Sequence, residues 1–173
     1  MINQSLEFQQ EQREIQNRQK VEKRATISHK FKQAHPLLRF VTVETVAFLF
    51  NIEVEQIYRV ECWQHVVYVH GEGISRFVSY ADFPPVISKQ KPDDNEFKRW
   101  RKRWYRKSKS RVVPEFWVKF YTRKFSEARS LYSLKKWGEL IAVFKFLFEE
   151  IDLQRLREDY RYQKFLKLKS YPR

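Results

Sequence analysis

Apolar residues along the chain change spacing several times, and each change marks an element. Thr42 followed by Val43, Val46, Ala47, Leu49 and Phe50 predicts a short helix capped by the threonine, and Asn51 suits the turn that ends it. Val54, Ile57, Tyr58 and Val60 predict a second short helix. Val66 to Val69, a loop holding Gly71 and Gly73, and Ile74 to Ser79 then read as a β-hairpin, closed by Pro84-Pro85.

Beyond a stretch of linker composition with a cap at Asp94, Phe97, Trp100 and Trp104 fall at i, i+3 and i+7 and predict a helix with one aromatic stripe. A further helix is expected to begin near Pro114, with Ser133 capping the next. Trp137, Leu140, Ile141, Phe144, Leu147, Phe148 and Ile151 give the longest run at helical spacing, and Asp152 suits the start of a last helix with Leu153, Leu156, Tyr160 and Leu166. The fold class expected is therefore mainly α with a small β-hairpin. Four segments follow: a polar helical or disordered extension over 1–33, a hairpin-bearing unit over 34–85, a linker over 86–96, and a basic, aromatic-rich helical region over 97–173.

Charge sharpens this division. The 173 residues hold 35 Lys and Arg against 21 Asp and Glu, a net charge of +14. Residues 34–92 carry five basic and six acidic side chains, whereas 97–136 carry fifteen basic and two acidic ones. Nearly all of the excess lies in that second stretch, and an excess this dense needs an anionic partner.

The string from Thr42 to Arg59 resembles the helix-turn-helix of excisionase and MerR-type DNA-binding domains: Ala47 packs the two helices, Asn51 stands at the turn where the family has Gly, and Tyr58-Arg59 lies in the second helix. The hairpin over 66–79 matches the family's wing, and Tyr80-Ala81-Asp82-Phe83 matches the helix start that follows it. The resemblance covers 42–85 and implies a winged helix-turn-helix-like unit. Its second helix would enter the major groove, with Gln56 on adenine, Arg59 on guanine or a phosphate, and Arg76 of the wing on the adjacent backbone. On residue chemistry alone, Ile57 and Tyr58 serve equally well as core residues, with Arg59 solvated.

Lys98, Arg99, Arg101, Lys102, Arg103, Arg106, Lys107, Lys109 and Arg111 supply phosphate contacts of the kind that drive sequence-independent binding, and Lys119, Arg123 and Lys124 are expected to widen the patch. Trp100, Trp104 and Tyr105 interleave with the cations and suit stacking on unpaired bases, while their single-stripe spacing assigns the tryptophans to the core. Two functions are expected. The first is a non-enzymatic DNA-binding protein, a transcriptional regulator or mobile-element accessory factor, dimerising through the apolar helix from Trp137 to Ile151. The alternative is an RNA-binding or nucleoprotein-complex subunit that uses the basic helix while the middle unit holds protein.

Catalysis, cofactors and a metal are not expected. Cys62, His65 and His70 lack a second cysteine pair, and Asp82 with Glu96 and Lys98 would need a strand where the pattern gives a helix. Leu140 to Phe148 is broken by Lys145, so no membrane span is expected. The polar opening segment and the single cysteine together fit a cytosolic chain.

Overall fold

Thr42 caps the first helix as its sequence position requires. Its hydroxyl accepts from the Thr45 N–H at 3.1 Å and the Thr45 hydroxyl accepts from the Thr42 N–H at 3.0 Å, which satisfies two amide donors that the helix leaves open. In the computed structural model, which describes residues 26–30, 35–87, 92–107 and 112–169, this helix α1 spans Val43–Phe50 and ends at Asn51 in the left-handed region (φ 52°).

The second helix does not form. Val54–Gln56 makes one 3₁₀ turn, and Ile57–Cys62 continues as a strand, β2. Its spacing misleads because the ladder shifts register between Ile57 and Arg59, a bulge that lets Ile57 and Val60 both face the core although they lie three residues apart. Alternation then resumes, with Val60 and Cys62 buried.

Strand β3 (Val66–Gly71) and strand β4 (Ile74–Ser79) form the expected hairpin, with Gly73 at φ +69° in its turn. A β-carbon on Gly71 would stand 2.7 Å from the Gln56 carbonyl oxygen, so only glycine lets the strand and the 3₁₀ turn approach there. The sheet gains a fourth strand from the segment expected to be a helical or disordered extension: β1 (Thr26–His29) pairs parallel with β2, giving the order β1-β2-β3-β4. Residues 1–25 lie outside the described residues.

The remaining helices are α2 (Asp94–Lys107), α3 (Glu115–Glu127), α4 (Leu131–Phe144) and α5 (Glu150–Lys169). Ser130 caps α4 by accepting from the Ser133 N–H, so Ser133 is the third helical residue and not the cap. The helix expected to run unbroken from Trp137 to Ile151 stops at Phe144; Lys145–Leu147 is a 3₁₀ turn and Phe148 is extended. That break turns Leu147 and Phe148 inward and leaves Val143, Phe146 and Ile151 exposed.

One apolar core joins the sheet and the helices, from Leu37 to Leu156. At its centre Trp117 meets Trp100 and Trp104 of α2 with ring centroids 5.5 and 5.3 Å away, and Phe144 at 6.1 Å. The Trp117 indole N–H donates to the Asp82 carbonyl at 3.3 Å and the Tyr121 hydroxyl to the Pro85 carbonyl at 2.8 Å, tying α3 to the segment that leaves the sheet.

Candidate nucleic-acid interface

Helix α2 places its charges by the same periodicity that buries its aromatics. Trp100 and Trp104 are buried and Phe97 is half-buried, as the single stripe predicted, while Lys98, Arg99, Arg101, Lys102 and Arg106 are exposed on the other side and Arg103 is half-buried. The tryptophans are therefore closed to bases, and Tyr105, about half exposed, is the open ring on this helix.

Both acids of α2, Asp94 and Glu96, lie in its first turn, and Glu96 is engaged there. The Glu96 N–H donates to Asp93 at 2.7 Å, the Asp93 N–H donates back to Glu96 at 2.9 Å, and Arg39 bridges to Glu96 at 2.7 Å. From Lys98 to Lys107 the helix holds seven cations and no acid. Among the described residues, none of Lys98, Arg99, Arg101, Lys102, Arg103 and Arg106 is ion-paired with a carboxylate. The Lys107 side chain, Lys109 and Arg111 lie outside the described residues.

The other expected contacts are arranged differently. Gln56 ends a 3₁₀ turn and is engaged twice, its oxygen accepting from the Glu53 N–H at 2.8 Å and its amide donating to Glu72 at 2.9 Å. Arg59 lies on β2, 3.4 Å from Glu61 and 5.7 Å above the Tyr68 ring. Neither sits on a groove-reading helix. Arg76 is exposed on the edge strand β4, opposite Val69. On α3 carboxylates answer the cations: Lys119 pairs with Glu115 at 3.2 Å, Arg123 with Glu127 at 2.7 Å, and Lys124 with Glu44 of α1 at 2.6 Å and Glu127 at 2.9 Å. Lys124, with its side chain 16% exposed, is a tether between α1 and α3.

The catalytic and metal arrangements weighed from sequence do not assemble. Asp82 accepts from the Ser79 N–H at 2.9 Å as a cap, and Glu96 and Lys98 are two residues apart on a helix and so point apart. Cys62 faces the core, where burial pushes its thiol up to about 11, whereas His70 belongs to the opposite face of the sheet. Among the described residues no three His, Cys, Asp or Glu side chains gather as metal ligands, and no helix is long and apolar enough to cross a membrane.

Sequence reading missed a set of rings on the outer side of the sheet, Tyr58, Trp63 and Phe77 exposed and Tyr68 half-buried among them. The signal was present in the alternation of Tyr68 and Phe77 with the inward Val67, Val69 and Val78.

Beside α2, His35 stacks on Tyr80 with centroids 3.9 Å apart, and its Nδ1 accepts from the Leu37 N–H at 3.0 Å. Burial, then the charges of Arg103 and His65, hold its pKa down at about 4 from 6.5. The unfolded chain takes up this proton below pH 6.5 and the folded chain only near pH 4, so stability is full above 6.5 and falls between the two. Acidification from pH 7 to 5 is expected to cost roughly 1–2 kcal/mol through this group. Urea midpoints should show that slope in the wild type and a flatter one in His35→Phe; equal slopes would remove His35 as the cause.

No family model, curated protein or solved structure matches the chain.

Proposed function

We propose that this protein binds nucleic acid in a binding, not catalytic, role, with the outer side of α2 as its phosphate-contacting surface. The observation that carries this reading is the row of cations from Lys98 to Arg106, unanswered by carboxylates among the described residues and fixed to the core by Trp100 and Trp104. Cations of a merely solubilising surface would be interspersed with acids, as they are on α3. Here the field has one sign, and phosphates satisfy it by releasing condensed counterions.

Base reading in the manner of a winged helix-turn-helix is not part of the proposal, since it needs Gln56 and Arg59 on a second helix, whereas Gln56 ends a 3₁₀ turn and Arg59 lies on β2. Anisotropy titrations of labelled duplex and single-stranded oligonucleotides over a salt series test the proposal. With six described cations available, log K is expected to fall against log salt with a slope of roughly −4 to −5. Absent binding at low salt, or a flat salt response, would overturn it.

A further inference from the structure

We infer that the outer face of the sheet is a stacking platform for the unpaired bases of a single-stranded nucleic acid whose phosphates reach α2. This deepens the reading above and rests on it.

The ladder lines up Glu61, Tyr68 and Phe77 across β2, β3 and β4, with Arg59, His70 and Ser75 as the next row. Tyr58 is 51% exposed, Trp63 44% and Phe77 61%, in a protein whose core is otherwise built from aromatic rings. Rings left in water on a flat face mark a binding surface. They are also contiguous. Tyr68 and Phe77 lie 5.0 Å apart, Phe77 and Trp63 6.2 Å, and Tyr58 meets His70 at 5.6 Å, while the Arg59 guanidinium lies over Tyr68. Rings with a guanidinium among them are the sequence-tolerant surface on which bases stack.

Charge selects the same occupant. The acid of this face, Glu61, is only 6% exposed and is enclosed by Lys30 at 3.4 Å, Arg59 at 3.4 Å and the Trp63 indole N–H at 3.3 Å. Two cations, Lys30 and Arg59, against that one enclosed carboxylate leave the cluster net positive toward a strand of phosphates.

The face also connects to α2. The Tyr80 hydroxyl donates to the Trp63 carbonyl at 2.8 Å, Tyr80 stacks on His35, and α2 packs against the turn Tyr80–Asp82. Trp63, at one end of the ring track, is thereby joined to the turn on which α2 packs, and the inferred strand lays its bases on the sheet and its backbone on the helix.

The test compares the full chain with Tyr68→Ala/Phe77→Ala and Phe77→Trp, using oligo(dT), oligo(U), a duplex of equal length, and heparin as a polyanion without bases. The double variant is expected to lose about tenfold or more per ring for the single strands. It should keep its duplex and heparin affinity and its thermal midpoint, and Phe77→Trp should retain single-strand binding. A preference between oligo(dT) and oligo(U) identifies the sugar, and either supports the inference. Unchanged single-strand affinity overturns the platform and leaves the α2 reading standing; a wild type that binds none of the four probes overturns both. Concentration-dependent dimerisation abolished by the double variant, with single-strand binding intact, would assign the face to a second copy instead.

Discussion

Glutamate at Lys98, Arg99, Arg101 and Lys102 is expected to lower nucleic-acid affinity by on the order of a thousandfold at about 0.1 M salt, since each phosphate contact contributes close to one decade there. The slope of log K against log salt should become shallower by roughly 3, and the single-strand and duplex affinities should fall together. These four side chains are exposed and unpaired with carboxylates among the described residues, so stability is expected to hold or rise slightly as self-repulsion is relieved. The comparison is Lys119→Glu/Arg123→Glu on α3. Those cations already face Glu115 and Glu127, and their loss should weaken binding far less.

Trp117→Ala acts on the opposite side of the same helix. The indole is fully buried, touches Trp100, Trp104, Tyr121 and Phe144, and donates to the Asp82 carbonyl. Truncation removes a large apolar contact and leaves a cavity, at an expected cost of about 3–5 kcal/mol. A domain of this size commonly has only about 5–15 kcal/mol in all, so the change is severe. Because α2 is anchored through Trp100 and Trp104 onto this ring, binding is expected to weaken along with the urea midpoint. In the glutamate variant, binding falls and the midpoint does not. Tyr105→Ala, at an exposed ring of α2, should leave the midpoint within about 0.5 kcal/mol of wild type. A Trp117→Ala midpoint equally close to wild type would show that the aromatic cluster does not hold the fold.

What could be read from the sequence was local. The Thr42 cap, the hairpin over 66–79 and the stripe of Phe97, Trp100 and Trp104 each depend on residues within a turn or two of one another, and each formed as its spacing required. Segment counting likewise found the cations of α2, because charge needs no fold to be counted.

The failures share a cause, which is that pairing across the chain overrode local pattern. Strand β2 imitates a helix because a bulge puts Ile57 and Val60 on one face, and its real partners are 33 residues back in β1 and a hairpin ahead in β3. The resemblance to a helix-turn-helix inherited that ambiguity, since Tyr58-Arg59 fits a recognition helix as well as a bulged strand. Strand β1 is four residues long and has meaning only beside β2. The split after Phe144 carries no glycine or proline to announce it; what decides it is that Leu147 and Phe148 reach the core by bending. Charge compensation was half visible: Lys119–Glu115 and Arg123–Glu127 are neighbours at i,i+4 in the sequence, whereas Lys124 meets Glu44 only once α1 and α3 are packed together.

Photocrosslinking decides most directly where the nucleic acid lies. An oligonucleotide carrying 5-iodouracil is irradiated in complex with the full chain and the adducts are mapped by peptide mass spectrometry. Exposed rings are spread over the molecule, at Tyr105 on α2, Phe77 beside the half-buried Tyr68 on the sheet, Tyr132 on α4, and Tyr162 and Phe165 on α5, so the map can discriminate. Adducts at Tyr105, joined by Tyr68 and Phe77 for a single strand, are the expected result. Adducts confined to Tyr132, Tyr162 and Phe165 would contradict a binding surface on α2.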